Sequence, residues 1–142
     1  MLNILFVDDD EDDRQLFSEA VKYVTPEINL TLVTCGDELI KLLETSAVTP
    51  DLIFLDLNMP GLSGIKCLEL IKSDERYKHI PIAIYSTSWI EKQIDETYEK
   101  GANLYLRKLS SFQDMQKQIG DVLQMKKDQY MPQSPRDRFL VA

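Results

Sequence analysis

Five times along this chain a short apolar run of strand length is followed by a longer amphipathic segment, and that alternation limits what the chain can fold into. The runs are residues 2–7, 30–34, 52–55, 82–85 and 104–106. Between them lie segments whose apolar residues recur at helical spacing. Leu16, Phe17, Ala20, Val21 and Val24 form one stripe over residues 12–24, a region that Pro26 closes. Gly36-Asp37 opens a helix carrying Leu39, Ile40, Leu42 and Leu43, and Ser63 is placed to cap a third helix with Ile65, Leu68 and Ile71 inward. Pro81 opens the fourth run. A polar, thinly apolar helix over residues 90–100 ends at Gly101, and residues 112–125 form the last one. Five strands alternating with five helices imply βαβ units and a parallel sheet covered on both faces. Right-handed crossovers leave few topologies, and in such sheets chemistry gathers at the carboxyl ends of the strands.

Those ends carry a consistent set of polar residues. The first run, Ile4-Leu5-Phe6-Val7, leads straight into Asp8, Asp9 and Asp10. The third ends on Asp56, with Pro60-Gly61 marking a turn just beyond. A lone carboxylate closing a buried strand is costly unless it has a partner or a task. Two carboxylates ~4 Å apart repel by ~4 kcal/mol at an effective dielectric near 20, so the cluster must take up protons or bind a cation. Oxygen-only ligation suits a hard ion that keeps its waters, and Mg²⁺ is the natural choice, with Asn58 able to add its backbone carbonyl. The fourth run leads into Ser86-Thr87-Ser88 and the fifth into Arg107-Lys108. Singly, a hydroxyl there is a turn former and a lysine a solvated flank. Together, a carboxylate nucleophile, a divalent cation, a hydroxyl and a lysine are the parts needed to accept a phosphoryl group. Asp12 and Asp13 read more simply, as the solvated start of a helix.

Composition narrows the alternatives. Of 142 residues 44% are apolar, enough for one well-packed domain. The balance of 16 basic against 24 acidic residues, −8 net, argues against a nucleic-acid surface. No apolar run approaches the ~20 residues of a membrane span, and no signal peptide precedes the first strand, so a soluble, cytoplasmic protein is expected. Cys35 and Cys67 fit no metal pattern and are expected to be reduced core thiols. The tail over 128–142 contains two prolines and is polar, which predicts a loosely ordered terminus, although Phe139, Leu140 and Val141 offer an apolar patch for docking.

The chain resembles a CheY-like receiver domain of two-component response regulators over residues 2–125. Val-Asp-Asp at 7–9 resembles the acidic metal-binding pair, and Leu-Asp56-Leu-Asn-Met-Pro-Gly the phosphoacceptor segment. Ile-Pro81-Ile-Ala-Ile-Tyr-Ser86 resembles the strand that ends on the switch hydroxyl, and Gly101-Ala-Asn-Leu-Tyr105-Leu-Arg-Lys108 the strand with the aromatic switch and the lysine. The resemblance implies a flavodoxin-like doubly wound sheet of five strands in the order 2-1-3-4-5 with five helices, a receiver domain over 1–127 without an output domain, and phosphorylation of Asp56. It implies Mg²⁺ on Asp8, Asp9, Asp56 and the Asn58 carbonyl, and phosphate-binding or switch roles for Ser86, Lys108 and Tyr105. Spacing from Pro81 favours Ser86 over Thr87 as the switch hydroxyl. The implied donor is a sensor histidine kinase or phosphotransfer protein. Output runs through a downstream protein target, and the face of the fourth helix, fifth strand and fifth helix also offers a homodimer contact. Such a protein is a phosphoacceptor rather than a turnover enzyme.

The departure from the family is Leu109, where members usually carry proline after the lysine. A trans Lys108–Leu109 bond is expected, with Arg107 a substitute cation should Lys108 fall short. His79, the one histidine, reads as a surface loop residue rather than a phosphodonor, and Trp89 stands close enough to the switch hydroxyl to sense metal or phosphate or simply to pack locally. A Mg²⁺-dependent phosphatase of the haloacid dehalogenase type would explain Asp8 and Asp10 but wants Thr or Val at Asp12 and leaves Asp56 without a role. A pseudo-receiver that binds partners without phosphorylation draws support from Leu109 alone.

Overall fold

The computed structural model, which describes residues 2–24 and 27–141, turns each apolar run into a strand. They are β1 (Leu2–Val7), β2 (Ile28–Val33), β3 (Leu52–Leu55), β4 (Ile82–Ser86) and β5 (Leu104–Arg107). Between and after them lie α1 (Glu11–Val24), α2 (Gly36–Thr45), α3 (Gly64–Ser73), α4 (Glu91–Glu99) and α5 (Phe112–Gln124). Pro26, read as the residue that closes the first helix, lies outside the described residues. Ser63 caps α3 as expected, its hydroxyl accepting from the Lys66 amide, and Gly101 ends α4 with φ +98°.

The strands read as unbroken apolar runs because both faces of the sheet are covered. Successive side chains point to opposite faces. Leu5, Val7, Ile53, Leu55, Ile82, Ile84 and Tyr105 pack under α2, α3 and α4. Ile4, Phe6, Leu52, Phe54, Ala83, Tyr85, Leu104 and Leu106 pack under α1 and α5, where Phe6 stacks on Phe17 with centroids 4.0 Å apart. The amphipathic stripe of α1 is narrower than its sequence suggests: Phe17, Ala20 and Val21 are buried, whereas Leu16 lies exposed. Of the two thiols, Cys67 is a core residue but Cys35 sits half-buried at the N-terminus of α2.

Strand and helix count differ from the expectation of five and five. Among the described residues the sheet has six parallel strands, the five above in the order β2-β1-β3-β4-β5 and one more beside β5, and there are six α-helices. The additional pair, α6 (Arg136–Phe139) and β6 (Leu140–Val141), comes from the tail expected to be loosely ordered. After a 3-10 turn at Lys127–Gln129 the chain folds back and adds β6 beside β5, Tyr105 opposite Leu140 and Leu106 opposite Val141. Phe139 is fully buried against Tyr98 and Tyr105, with centroids 5.0 and 6.1 Å away. Burying a ring of that size is worth about 1.5–3 kcal/mol, a large part of what holds so short a segment.

A polar hub secures the rest of the segment. Buried Asn103 donates from Nδ2 to the Tyr130 carbonyl at 2.8 Å, and its own carbonyl accepts from Ser134 Oγ at 2.6 Å. Its Oδ1 accepts from the Ile82 amide and from Lys72 Nζ, both at 2.9 Å. Lys72 Nζ also donates to the Lys78 and Ile80 carbonyls at 3.2 and 2.8 Å, and burial pushes its ammonium down to about 8. At the surface Arg136 pairs with Asp95 at 2.6 Å.

Candidate functional site

The period-two rule of the strands decides which side chains meet at the carboxyl edge. Asp8 continues the Ile4, Phe6 face of β1, Asp56 the Leu52, Phe54 face of β3, and Lys108 the Leu104, Leu106 face of β5. Since β1 lies beside β3 in register, with Val7 opposite Leu55, the next residues on each strand are neighbours. Asp8, Asp9 and Asp56 each offer a carboxylate oxygen within 4.8 Å of the others. Asp8 and Asp56 are buried, and Asp9 is exposed.

The loop after β3 closes over Asp56 at a point where only glycine fits. A Cβ on Gly64 would stand 2.1 Å from the Asp56 carbonyl oxygen and 2.6 Å from the Leu57 Cα. Gly61 takes φ +74°, the left-handed value that lets the Pro60-Gly61 turn bring α3 back against the strand end. Asp10 caps α1, its Oδ1 accepting from the Asp12 amide at 2.8 Å and the Asp13 amide at 3.2 Å. Asp8 Oδ1 in turn accepts from the Asp10 amide at 3.0 Å.

Lys108 reaches the acids. Its Nζ lies 2.7 Å from Asp8 Oδ2, 2.8 Å from Asp13 Oδ2 and 3.6 Å from Asp56 Oδ1. The Lys108–Leu109 bond is trans, and the Lys108 amide donates to the Ser86 carbonyl at 2.7 Å. Arg107, one residue earlier, has the opposite orientation and lies with its guanidinium 5.3 Å from the Trp89 ring centre. It is no substitute for Lys108, and Trp89, 46% exposed, is engaged with Arg107.

Burial raises the Asp56 carboxyl from 3.8 to about 6, helped by repulsion from Asp8 and opposed by Lys108 and by the Asn58 backbone N–H. Asp8 is also raised, by burial above all, against the hydrogen bond from Lys108. Burial works against the Lys108 charge, yet hydrogen bonds to Asp13 and Asp8 hold its ammonium above the ordinary lysine value. The cluster is thus acid-crowded, with one lysine set against Asp8, Asp13 and Asp56.

The hydroxyls separate cleanly. Ser86 is fully buried and its Oγ accepts from the Ser88 amide at 3.1 Å, whereas Thr87 faces solvent. Tyr105 is buried and donates from its hydroxyl to the Ser88 carbonyl at 2.8 Å. The β4–α4 loop therefore joins Ser86, Ser88 and Tyr105, and the Tyr105 ring also meets Phe139 edge to face. Tyr85 Oη is buried without a hydrogen-bond partner among the described residues, and its ring lies 5.7 Å from Lys108 Nζ. His79 is exposed in the loop before β4. Asp13 is the residue that sequence reasoning missed. Its place among six consecutive acids hid it, although its position in the first turn of α1, five residues after Asp8, is the signal that points it at the strand ends.

Comparison with known proteins agrees with this fold. A family model described as response regulator receiver domain matches residues 4–120. Response regulator Rcp1 of Synechocystis is 31% identical over 121 residues, covering 82% of each chain. The structure of Rcp1 in its Mn²⁺-bound form superposes with a TM-score of 0.78 at 30% identity, covering 86% of this chain and 91% of that one. That of the phosphorylated cyanobacterial phytochrome response regulator RcpA gives 0.80 at 30% identity, covering 92% and 94%. No helix among the described residues is long and apolar enough to cross a membrane. With the acids, hydroxyl and lysine at one sheet edge and a family model matching from β1 into α5, the chain belongs to the response regulator receiver domain family.

Proposed function

We propose that this receiver domain accepts a phosphoryl group on the Asp56 carboxylate from a sensor histidine kinase or phosphotransfer protein and signals onward by protein–protein contact. The observation that carries the reading is the convergence on Asp56, at the end of β3, of two further carboxylates, a lysine and a buried hydroxyl from three other strand ends. An Asp56 oxygen forms the new bond to phosphorus as the donor's P–N bond breaks, and the electron pair stays on the donor imidazole nitrogen. Lys108 supplies fixed positive charge beside the acceptor, 3.6 Å from Oδ1. Ser86 Oγ already accepts one hydrogen bond, which leaves its proton for a phosphoryl oxygen. Movement of Ser86 and its loop is then passed to Tyr105, which shares the Ser88 contact.

The donor set fits Mg²⁺. Three carboxylates with no nitrogen or sulfur among them match a hard cation, and the raised proton affinity of Asp56 marks a cluster short of positive charge. Asp8, Asp9, Asp56 and the Asn58 carbonyl would hold the ion, which when bound neutralises the charge on the equatorial oxygens of the transferring group. The related structures, Rcp1 in its Mn²⁺-bound form and RcpA phosphorylated, support both parts of the reading. A phosphoacceptor of this kind speeds its own phosphorylation and dephosphorylation without turning over an external substrate. Output would use the face of α4, β5 and α5, and a homodimer through that face would have to accommodate β6, which already pairs along β5.

Incubation with a small phosphodonor and Mg²⁺, followed by intact mass, tests the assignment. One phosphoryl mass is expected on the wild-type chain and none on Asp56→Asn. A variant that still gained the phosphoryl mass would sink it.

A further inference from the structure

Lys108 serves two masters at rest, and neither is Asp56. Its ammonium has three donors. Two go to Asp8 Oδ2 at 2.7 Å and Asp13 Oδ2 at 2.8 Å, while Asp56 Oδ1 at 3.6 Å lies beyond hydrogen-bond range. The two holders differ in what they can give up. The Asp8 side chain is fully buried and would be left as an uncompensated charge without the lysine. Asp13 is 31% exposed, so water can take over its oxygens when the lysine leaves.

We propose that Asp13 is a positioning residue for phosphoryl acceptance: it holds Lys108 in a resting pose, and the lysine must exchange Asp13 for the phosphoryl oxygens when Asp56 is modified. The proposal rests on the phosphoacceptor reading above. Asp13 works in two ways. It stabilises the unmodified state through a contact that the phosphorylated state gives up, and it adds negative charge near the place where a dianion arrives. Both shift the balance away from the phosphorylated form. A part-exposed charged contact of this kind is worth roughly a fivefold change in an equilibrium constant. The run of acids therefore divides its work: Asp8 and Asp9 face the acceptor, Asp10 caps the helix, and Asp13 sets how readily the lysine is released.

The test uses beryllofluoride with Mg²⁺ as an equilibrium mimic of the phosphoryl group, with binding measured by calorimetry on the full chain. Asp13→Asn is expected to bind it roughly fivefold more tightly than wild type. Asp13→Glu, which restores the charge, should return most of the way, and Asp12→Asn, which removes the same charge from an exposed neighbour, should change little. A second readout needs no ligand: the ¹⁵Nζ signal of Lys108 in metal-free protein should broaden or shift in Asp13→Asn and stay put in Asp12→Asn. Unchanged or weakened beryllofluoride binding by Asp13→Asn overturns the proposal, as does an equal gain from Asp12→Asn. A wild-type chain that binds no beryllofluoride and gains no phosphoryl mass overturns the phosphoacceptor reading and this one with it. A wild type that does both, beside Asp13 variants that match it, overturns this one alone.

Discussion

Replacing Asp56 with asparagine should make the metal-free protein more stable at neutral and alkaline pH while abolishing its function. Asp56 is 5% exposed and stands beside buried Asp8. Burial, then repulsion from Asp8, lifts its carboxyl from 3.8 to about 6, because Lys108 and the Asn58 amide offset only part of the crowding. A folded-state value above the unfolded one means that the protonated carboxyl favours the fold. That contribution is fully present below 3.8 and is lost as the pH rises through about 6. The interval corresponds to about 3 kcal/mol, which the ionised carboxylate costs the fold at pH 8. Asparagine has nearly the same shape and no charge, so it escapes this cost. Urea unfolding in the presence of a chelator should show the variant ahead by about 2–3 kcal/mol at pH 8 with an unchanged m-value. The gap should narrow through pH 6 and nearly close toward pH 4. Saturating Mg²⁺ should shrink it as well, by stabilising the wild type through mass action. A variant no more stable than wild type at pH 8, or a gap that ignores pH, would refute the electrostatic account of the site.

Three further outcomes are expected. Phe139→Ala removes a fully buried ring worth about 3 kcal/mol, and because it anchors a short terminal segment the loss is local: amide exchange over residues 130–141 should quicken roughly a hundredfold while the global urea midpoint falls much less. Equal losses in both would mean that the segment is integral to the core. Gly64→Ala forces a Cβ into the Asp56 carbonyl at 2.1 Å, so a loss of at least ~1–3 kcal/mol in urea and a slower phosphoryl gain should appear together, and a neutral substitution would contradict the close approach. Ser86→Ala should leave Asp56 phosphorylation detectable but weaken its coupling to partner binding, whereas Thr87→Ala, at an exposed position, should do little. The reverse result would move the switch hydroxyl by one residue.

Much of the fold was legible because each local signal agreed with the others. Uninterrupted apolar runs such as Leu52–Leu55 fit strands covered on both faces, and Ser63, Gly101 and Pro60-Gly61 carry their own backbone reasons. Of the tail only the apolar patch Phe139, Leu140 and Val141, able to dock on the body or on a partner, was legible. Its polarity and prolines are ordinary for a loose terminus, and nothing in residues 127–141 by themselves reveals that Tyr98, Tyr105 and Asn103 wait to receive them. Leu16 fell on the expected stripe but lies exposed, because the width of an apolar stripe depends on which neighbours, here β1 and α5, come close enough to cover it.

At the site, the alternation of strand and helix together with carboxylates closing two buried runs was enough to place Asp8, Asp9 and Asp56 at one sheet edge. Hydrophobic patterning determines which elements form and which of their ends share a rim, and that information is local. Pairwise geometry across the rim is not local. That Lys108 rather than Arg107 faces the acids follows from strand parity and register, and that it rests on Asp8 and Asp13 at 2.7 and 2.8 Å depends on how α1 packs against β1 and α5. Charges interact through distances that only the assembled sheet sets, so the tertiary structure alone decided which acid holds the lysine.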